Sequence, residues 1–126
     1  MGSCTNISAG DVAFGVYDPN NASNTDITST LTYTCLNLVG TISLSKGNTG
    51  TYAGRKMAGS YADSLTYNLY TDPGRNFVWG DGTGGTATVA ILLGTALSNT
   101  IYGRLFSGQA VSAGTYTDTI TVTFNF

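Results

Sequence analysis

The sequence predicts an all-β protein, either a sandwich or a small barrel. Three observations carry that prediction. Apolar residues recur at every second position in several short runs, clusters of Gly, Pro, Asn and Asp separate those runs, and no window shows the 3.6-residue period of an amphipathic helix. Seven or eight short strands without a helix bury their apolar faces only by packing sheet on sheet or by closing on themselves.

The runs follow in order. In residues 11–17, Val12, Phe14 and Val16 alternate with small residues, and Asp18, Pro19, Asn20 and Asn21 then form a turn. Ile27, Ser29, Leu31, Tyr33 and Cys35 share a face opposite Thr28, Thr30, Thr32 and Thr34, a strand with one wet side that turns Cys35 inward. Residues 41–45 give a short strand with Ile42 and Leu44 inward, and 46–50 a glycine-containing loop. Residues 55–57 are too few to assign alone. Leu65, Tyr67 and Leu69 mark a strand over 65–70, after which Asp72, Pro73 and Gly74 turn the chain towards Phe77, Val78 and Trp79. Beyond the turn-rich 80–85, strands are predicted over 86–93 and 101–106, with 94–99 between them.

The chain ends on residues 113–126, where Tyr116, Ile120, Val122, Phe124 and Phe126 fall on one face and threonines on the other. A domain that stops on such a strand leaves an apolar face and a backbone ladder for something to cover. No repeat or linker interrupts the chain, so residues 1–126 read as one domain, with Met1, Gly2 and Ser3 as a cloning remnant or trimmed start.

Composition narrows the function. Charged residues are only 10% of the chain, His and Glu do not occur, and the net charge is -2, which argues against a phosphate-tracking surface and so against nucleic acid as a partner. Without His, imidazole-based nucleophile activation and the usual zinc ligand sets are unavailable. The aspartates sit in turn-like sequence and read as turn formers rather than as a calcium or acid-base set. No catalytic, cofactor or metal site is expected. The two cysteines, Cys4 and Cys35, read as an oxidised pair in preference to two free thiols, which points to an oxidising compartment. No apolar run reaches the ~20 residues of a membrane-spanning helix.

Two further features have competing readings. Arg75, Phe77 and Trp79 could present a surface loop with an aromatic platform for sugar, but a single Trp in a sandwich is more simply core, and core is favoured. Arg55 and Arg104 lie in or beside predicted strands, where each needs an aspartate or a carbonyl as partner.

Cys4, VAFGVYDP over residues 12–19, Cys35, RKM over 55–57, LTYNLYTD over 65–72, VWGDG over 78–82, YGRL over 102–105 and AGTYTDTITVTF over 113–124 occur in this order. Together they resemble the spore coat protein U domain, the fold of secreted subunits of archaic chaperone-usher pili. The resemblance implies an incomplete immunoglobulin-like β-sandwich that lacks its final strand and is completed by a donor strand. Partners implied are a periplasmic chaperone and an outer-membrane usher during assembly, then neighbouring pilin subunits in a homopolymer, which places the chain in a cell-surface fimbrium supporting attachment and biofilm formation. A tip adhesin or glycan-binding module, or a spore-coat structural protein, is the alternative. By the same resemblance Cys4 and Cys35 form the family disulfide, Ile120, Val122, Phe124 and Phe126 line the acceptor groove, and Val12, Phe14 and Val16 form its opposite wall. Only Met1, Gly2 and Ser3 precede Cys4, too few for a donor strand of roughly ten residues, so the expectation is a removed extension or a subunit that accepts without donating.

Overall fold

The computed structural model describes residues 3–37, 39–59 and 63–126. Its strands are β1 (Ser3–Ala9), β2 (Thr25–Leu36), β3 (Thr41–Leu44), β4 (Arg55–Ala58), β5 (Ser64–Tyr70), β6 (Val89–Ala90), β7 (Gly94–Leu105) and β8 (Val122–Asn125). They form a five-stranded sheet, β1-β2-β7-β5-β4, and a three-stranded sheet, β6-β3-β8, with every pairing antiparallel. No helix occurs among the described residues. Of the sandwich and the small barrel that the periodicity left open, the sandwich that the family resemblance implied is the fold observed.

The central pairing is β2 with β7, in register from Thr25 opposite Leu105 to Tyr33 opposite Leu97. The inward set of β2 behaves as its alternation requires: Leu31, Tyr33 and Cys35 are buried, while Thr28, Thr30 and Thr32 face solvent. Strand β1 aligns Cys4 opposite Cys35, and the two are joined by a disulfide. This strand carries no alternation in its sequence. Asn6 sits at φ 53°, and the register slips between Thr5 and Ser8, so a bulge scrambles its faces.

Four sequence expectations need correction. Residues 94–99, expected as a separator, are the first half of β7, paired to β2 through a bulge that Gly94 (φ 136°) and Ala96 (φ 51°) accommodate. The strand expected over 86–93 shrinks to β6, because β3 offers it only Thr41 and Ile42 as partners. Residues 11–17 form no strand: among the described residues only Tyr17 finds a ladder partner, Gly114, and Gly15 at φ 81° breaks the run before it. The C-terminal run pairs continuously with β3 only over Val122–Asn125, and upstream it is held by single bridges, Gly114 to Tyr17 and Thr117 to Ala58.

Between the sheets lies one contiguous core in which Leu31, Tyr33, Ile42, Leu44, Leu65 and Trp79 are fully buried. Trp79 donates its indole N–H to the Ile42 carbonyl at 2.9 Å, so it is the core residue the simpler reading favoured. Arg55 is buried with it, at 0% exposure. Its guanidinium donates to the Ser45 carbonyl from Nε and Nη2, at 3.0 and 2.8 Å, to Asn68 Oδ1 at 2.7 Å and to the Trp79 carbonyl. These bonds tie β4 and β5 to the chain leaving β3 and so cross-link the two sheets. Burial pulls the Arg55 pKa down from its ordinary value. Arg104 takes the other kind of partner, donating to Asp26 at 2.8 and 3.0 Å.

Candidate functional site: an open apolar groove

Two extended segments that make few ladder bonds face each other. Residues 9–16 on one side and 115–122 on the other border a groove of about 600 Å³, floored by Leu44, Met57, Leu65, Leu69, Ile101 and Leu105. Each wall has a reason in the sequence. Gly10 donates to the Thr30 carbonyl at 3.0 Å, and Tyr17 exchanges two bonds with Gly114, so residues 11–16 are pinned only at their ends. Val12 and Phe14 press on β7 where Gly103 stands: a Cβ there would lie 2.8 Å from Val12 Cγ1 and 2.9 Å from Phe14 Cζ. Phe14 also meets Tyr67 edge-on, ring centroids 5.9 Å apart.

The opposite wall is set by pleating. Thr117 exchanges two backbone bonds with Ala58, at 2.8 and 2.9 Å, and the Ser45 N–H donates to the Thr121 carbonyl at 3.0 Å, so odd-numbered residues spend their backbone groups on the β3 and β4 side. Because these groups alternate in direction along an extended chain, those of residues 118, 120 and 122 turn to the groove, where they have no ladder partner among the described residues. Strand β8 is accordingly the edge of its sheet. An unpaired ladder thus runs beside a large apolar hollow. As a sealed dry void, 600 Å³ at ~24 cal/mol per Å³ would cost about 14 kcal/mol, comparable to the whole stability of a typical domain. The hollow is open, and its apolar floor faces water until something fills it.

Of the residues expected at an acceptor groove, Val12, Phe14, Val16, Ile120 and Val122 line this one. Phe124 and Phe126 do not. Phe124 stacks edge-on against Tyr33 at 5.2 Å, inside the sandwich opposite Ile42, and Phe126 is 68% exposed beyond the end of β8. The wall is therefore nearer the middle of the C-terminal run than its alternation suggested, because β3 takes up the last turns of the pleat.

The surface loop sketched from Arg75, Phe77 and Trp79 is not assembled. Trp79 is sealed in the core, and Arg75 spends its guanidinium on the carbonyls of Gly103, Pro73 and Ile27 and on the face of Tyr102. Phe77 alone is exposed, at 61%. Three of the aspartates form turns as expected: Asp18 accepts from Asn20 N–H, Asp72 from Asn76 and Phe77 N–H, and Asp81 from Thr83; Asp26 instead lies in β2 as the partner of Arg104, and Asp63 accepts from the distant Ser112 N–H.

A model of the Spore Coat Protein U domain matches residues 1–123. The chain belongs to that family. One relative, Protein U of Myxococcus xanthus, is 35% identical over 130 residues, an alignment covering 93% of this chain and 72% of the relative. The fold is also shared, with a TM-score of 0.69 and 23% identity, by a chain of the chaperone–tip adhesion subunit pre-assembly complex from the archaic chaperone-usher Csu pili of Acinetobacter baumannii. All of this Spore Coat Protein U domain is covered in that comparison, and it spans 40% of the other chain.

The floor residues, Tyr67 and the carboxylate Asp118 were not among the groove residues expected from the sequence. Asp118 lines the same wall as Tyr116, Ile120 and Val122. Its Oδ2 accepts from the Tyr67 hydroxyl at 2.6 Å, and its Oδ1 from the N–H groups of Asn48 at 3.0 Å and Thr119 at 2.9 Å. Burial, reinforced by the bond to Asp118, pushes the Tyr67 phenol well above its ordinary range. Parity was the available signal: Asp118 is even-numbered like its apolar neighbours.

Proposed function

We propose that this chain is a secreted structural subunit of an adhesive surface fibre of the archaic chaperone-usher type, assembled by strand complementation and without catalysis. The observation that carries the reading is the groove: unpaired backbone on two sides and an apolar floor between them suit an extended strand better than any compact ligand. Family membership and the fold shared with the Csu complex support it. The occupant is an extended segment of a neighbouring subunit, preceded during assembly by a strand from a periplasmic chaperone, with an outer-membrane usher as the exit. Its bonds to residues 118, 120 and 122 give the joint strength, and its alternate side chains fill the floor. The disulfide suits passage through an oxidising periplasm to the cell surface. Attachment and biofilm formation are the roles such a fibre serves.

The test adds synthetic peptides of about ten residues with alternating apolar side chains to the chain and follows thermal unfolding. A stabilisation that saturates with peptide, and that Ile120→Asn or Val122→Asn abolishes while Thr123→Asn leaves it intact, is expected. Unfolding that no such peptide shifts, in a chain that stays monomeric at high concentration, refutes the reading. The family's name favours one other assembly, a packed coat layer. Electron microscopy of the polymer separates fibre from sheet.

A further inference from the structure

An apolar groove with a repeating backbone ladder has a weakness as a receptor for a strand. Slipping the occupant by one residue reverses its faces and is strongly opposed, but slipping it by two restores both the face and the ladder. A purely apolar floor distinguishes those two registers only by side-chain size. This groove is not purely apolar, because Asp118 and Tyr67 interrupt it.

The pair offers acceptors and no free donor. Asp118 Oδ1 accepts two backbone N–H groups and Oδ2 accepts one hydroxyl, so of the ~four lone-pair sites of a carboxylate one is left, on Oδ2. The Tyr67 hydroxyl proton is spent on Asp118, which leaves its oxygen as an acceptor too. An apolar side chain laid against the pair strips water from a carboxylate and returns no hydrogen bond, whereas a hydroxyl or amide there restores one. A cation is the poorer candidate, because drawing a further charge out of water into an apolar groove carries a heavy desolvation penalty. We infer that Asp118 sets the register of the inserted strand by selecting a neutral hydrogen-bond donor, a hydroxyl or amide side chain, at the one position facing it, while the positions facing Ile120 and Val122 are apolar. This rests on the strand-acceptor reading and deepens it.

Threonine and valine have nearly the same shape, so exchanging them reads the hydroxyl alone. A panel of ten-residue peptides carries valine at every inward position, then threonine at each in turn, and Kd is measured by calorimetry on the intact, oxidised chain. Expected is one position at which threonine binds about ten-fold tighter than valine, the scale of a hydrogen bond to a charged group, with threonine weaker at the others. In Asp118→Asn the advantage falls to less than about two-fold. In Tyr67→Phe, which frees a second acceptor on Oδ2, it persists or grows; this variant decides if Asp118→Asn does not fold. Peptides that bind with valine preferred or equal everywhere overturn this inference and leave the groove reading standing. So does a threonine preference unchanged in Asp118→Asn or lost in Tyr67→Phe. A chain that takes up no peptide overturns both.

Discussion

Replacing Arg55 with methionine tests whether the two sheets are cross-linked as described. The side chain is fully buried and its guanidinium serves the carbonyls of Ser45 and Trp79 and the Asn68 amide oxygen. Methionine fills much of the same space, leaves the Ser45 and Trp79 carbonyls without donors and takes the charged donor from Asn68 Oδ1, which keeps the Leu69 N–H, a gross loss of about 3–9 kcal/mol at ~1–3 kcal/mol for each of the three bonds. Removing a desolvated guanidinium returns several kcal/mol of that. The net expectation is a destabilisation of about 3 kcal/mol. For 126 residues the unfolding entropy is about 0.26 kcal/mol/K, so Tm falls by about 11 °C. Near-UV circular dichroism and calorimetry on the oxidised chain measure it, with Arg55→Lys as the companion. An ammonium reaches fewer of the three acceptors, so Lys falls between wild type and Met. A Tm for Arg55→Met within about 3 °C of wild type refutes the reasoning, since it would mean that the orphaned carbonyls find other donors or that the cation's burial cancels its bonds.

Two further outcomes are expected. The Cys4–Cys35 bridge spans a sequence separation of 31, so its reduction, or Cys4→Ser with Cys35→Ser, lowers stability by about 4 kcal/mol in the chain-entropy model, measured by urea unfolding with and without reductant. Acid weakens the fold: the Arg104 hydrogen bond holds the Asp26 carboxyl below its ordinary 3.8, and the Thr83 hydroxyl does the same to Asp81. A folded-state pKa below the unfolded one contributes stability above the unfolded value and loses it as pH falls through the folded value. Tm therefore declines below a pH of about 4, and Asp26→Asn flattens the decline by no more than the ~0–1 kcal/mol of an exposed pair.

Where a strand has a partner of its own length, its alternation could be read directly. Residues 27–35 and 65–70 are the clear cases, and both are paired over their whole inward face. Where the partner is short or missing, the same alternation misled. Residues 11–17 alternate as well as β2 does, yet among the described residues only Tyr17 has a ladder partner, and the C-terminal run outlasts the four residues β3 can offer. Strand content there is a property of neighbours, which periodicity does not encode. The acceptor residues were legible by face, but not by position along the strand: Phe124 has the right parity and a different destination, against Tyr33. Asp118 was hidden for the opposite reason, because a carboxylate among apolar residues of one parity is readily passed over until Tyr67, fifty-one residues away in sequence, closes on it.

The hollow between residues 9–16 and 115–122 also determines what it would mean to pull two such subunits apart. Its lining is the interior of the sandwich, shared with Leu65, Leu69 and Ile101. On the proposed reading, a strand seated there is not pressed on a surface but belongs to the molecule's inside. Separating the links would have no binding step to reverse, only the opening of a folded core, with the barrier and the slowness of unfolding. Such a fibre would hold by kinetics: each junction would last as long as a protein takes to unfold under load.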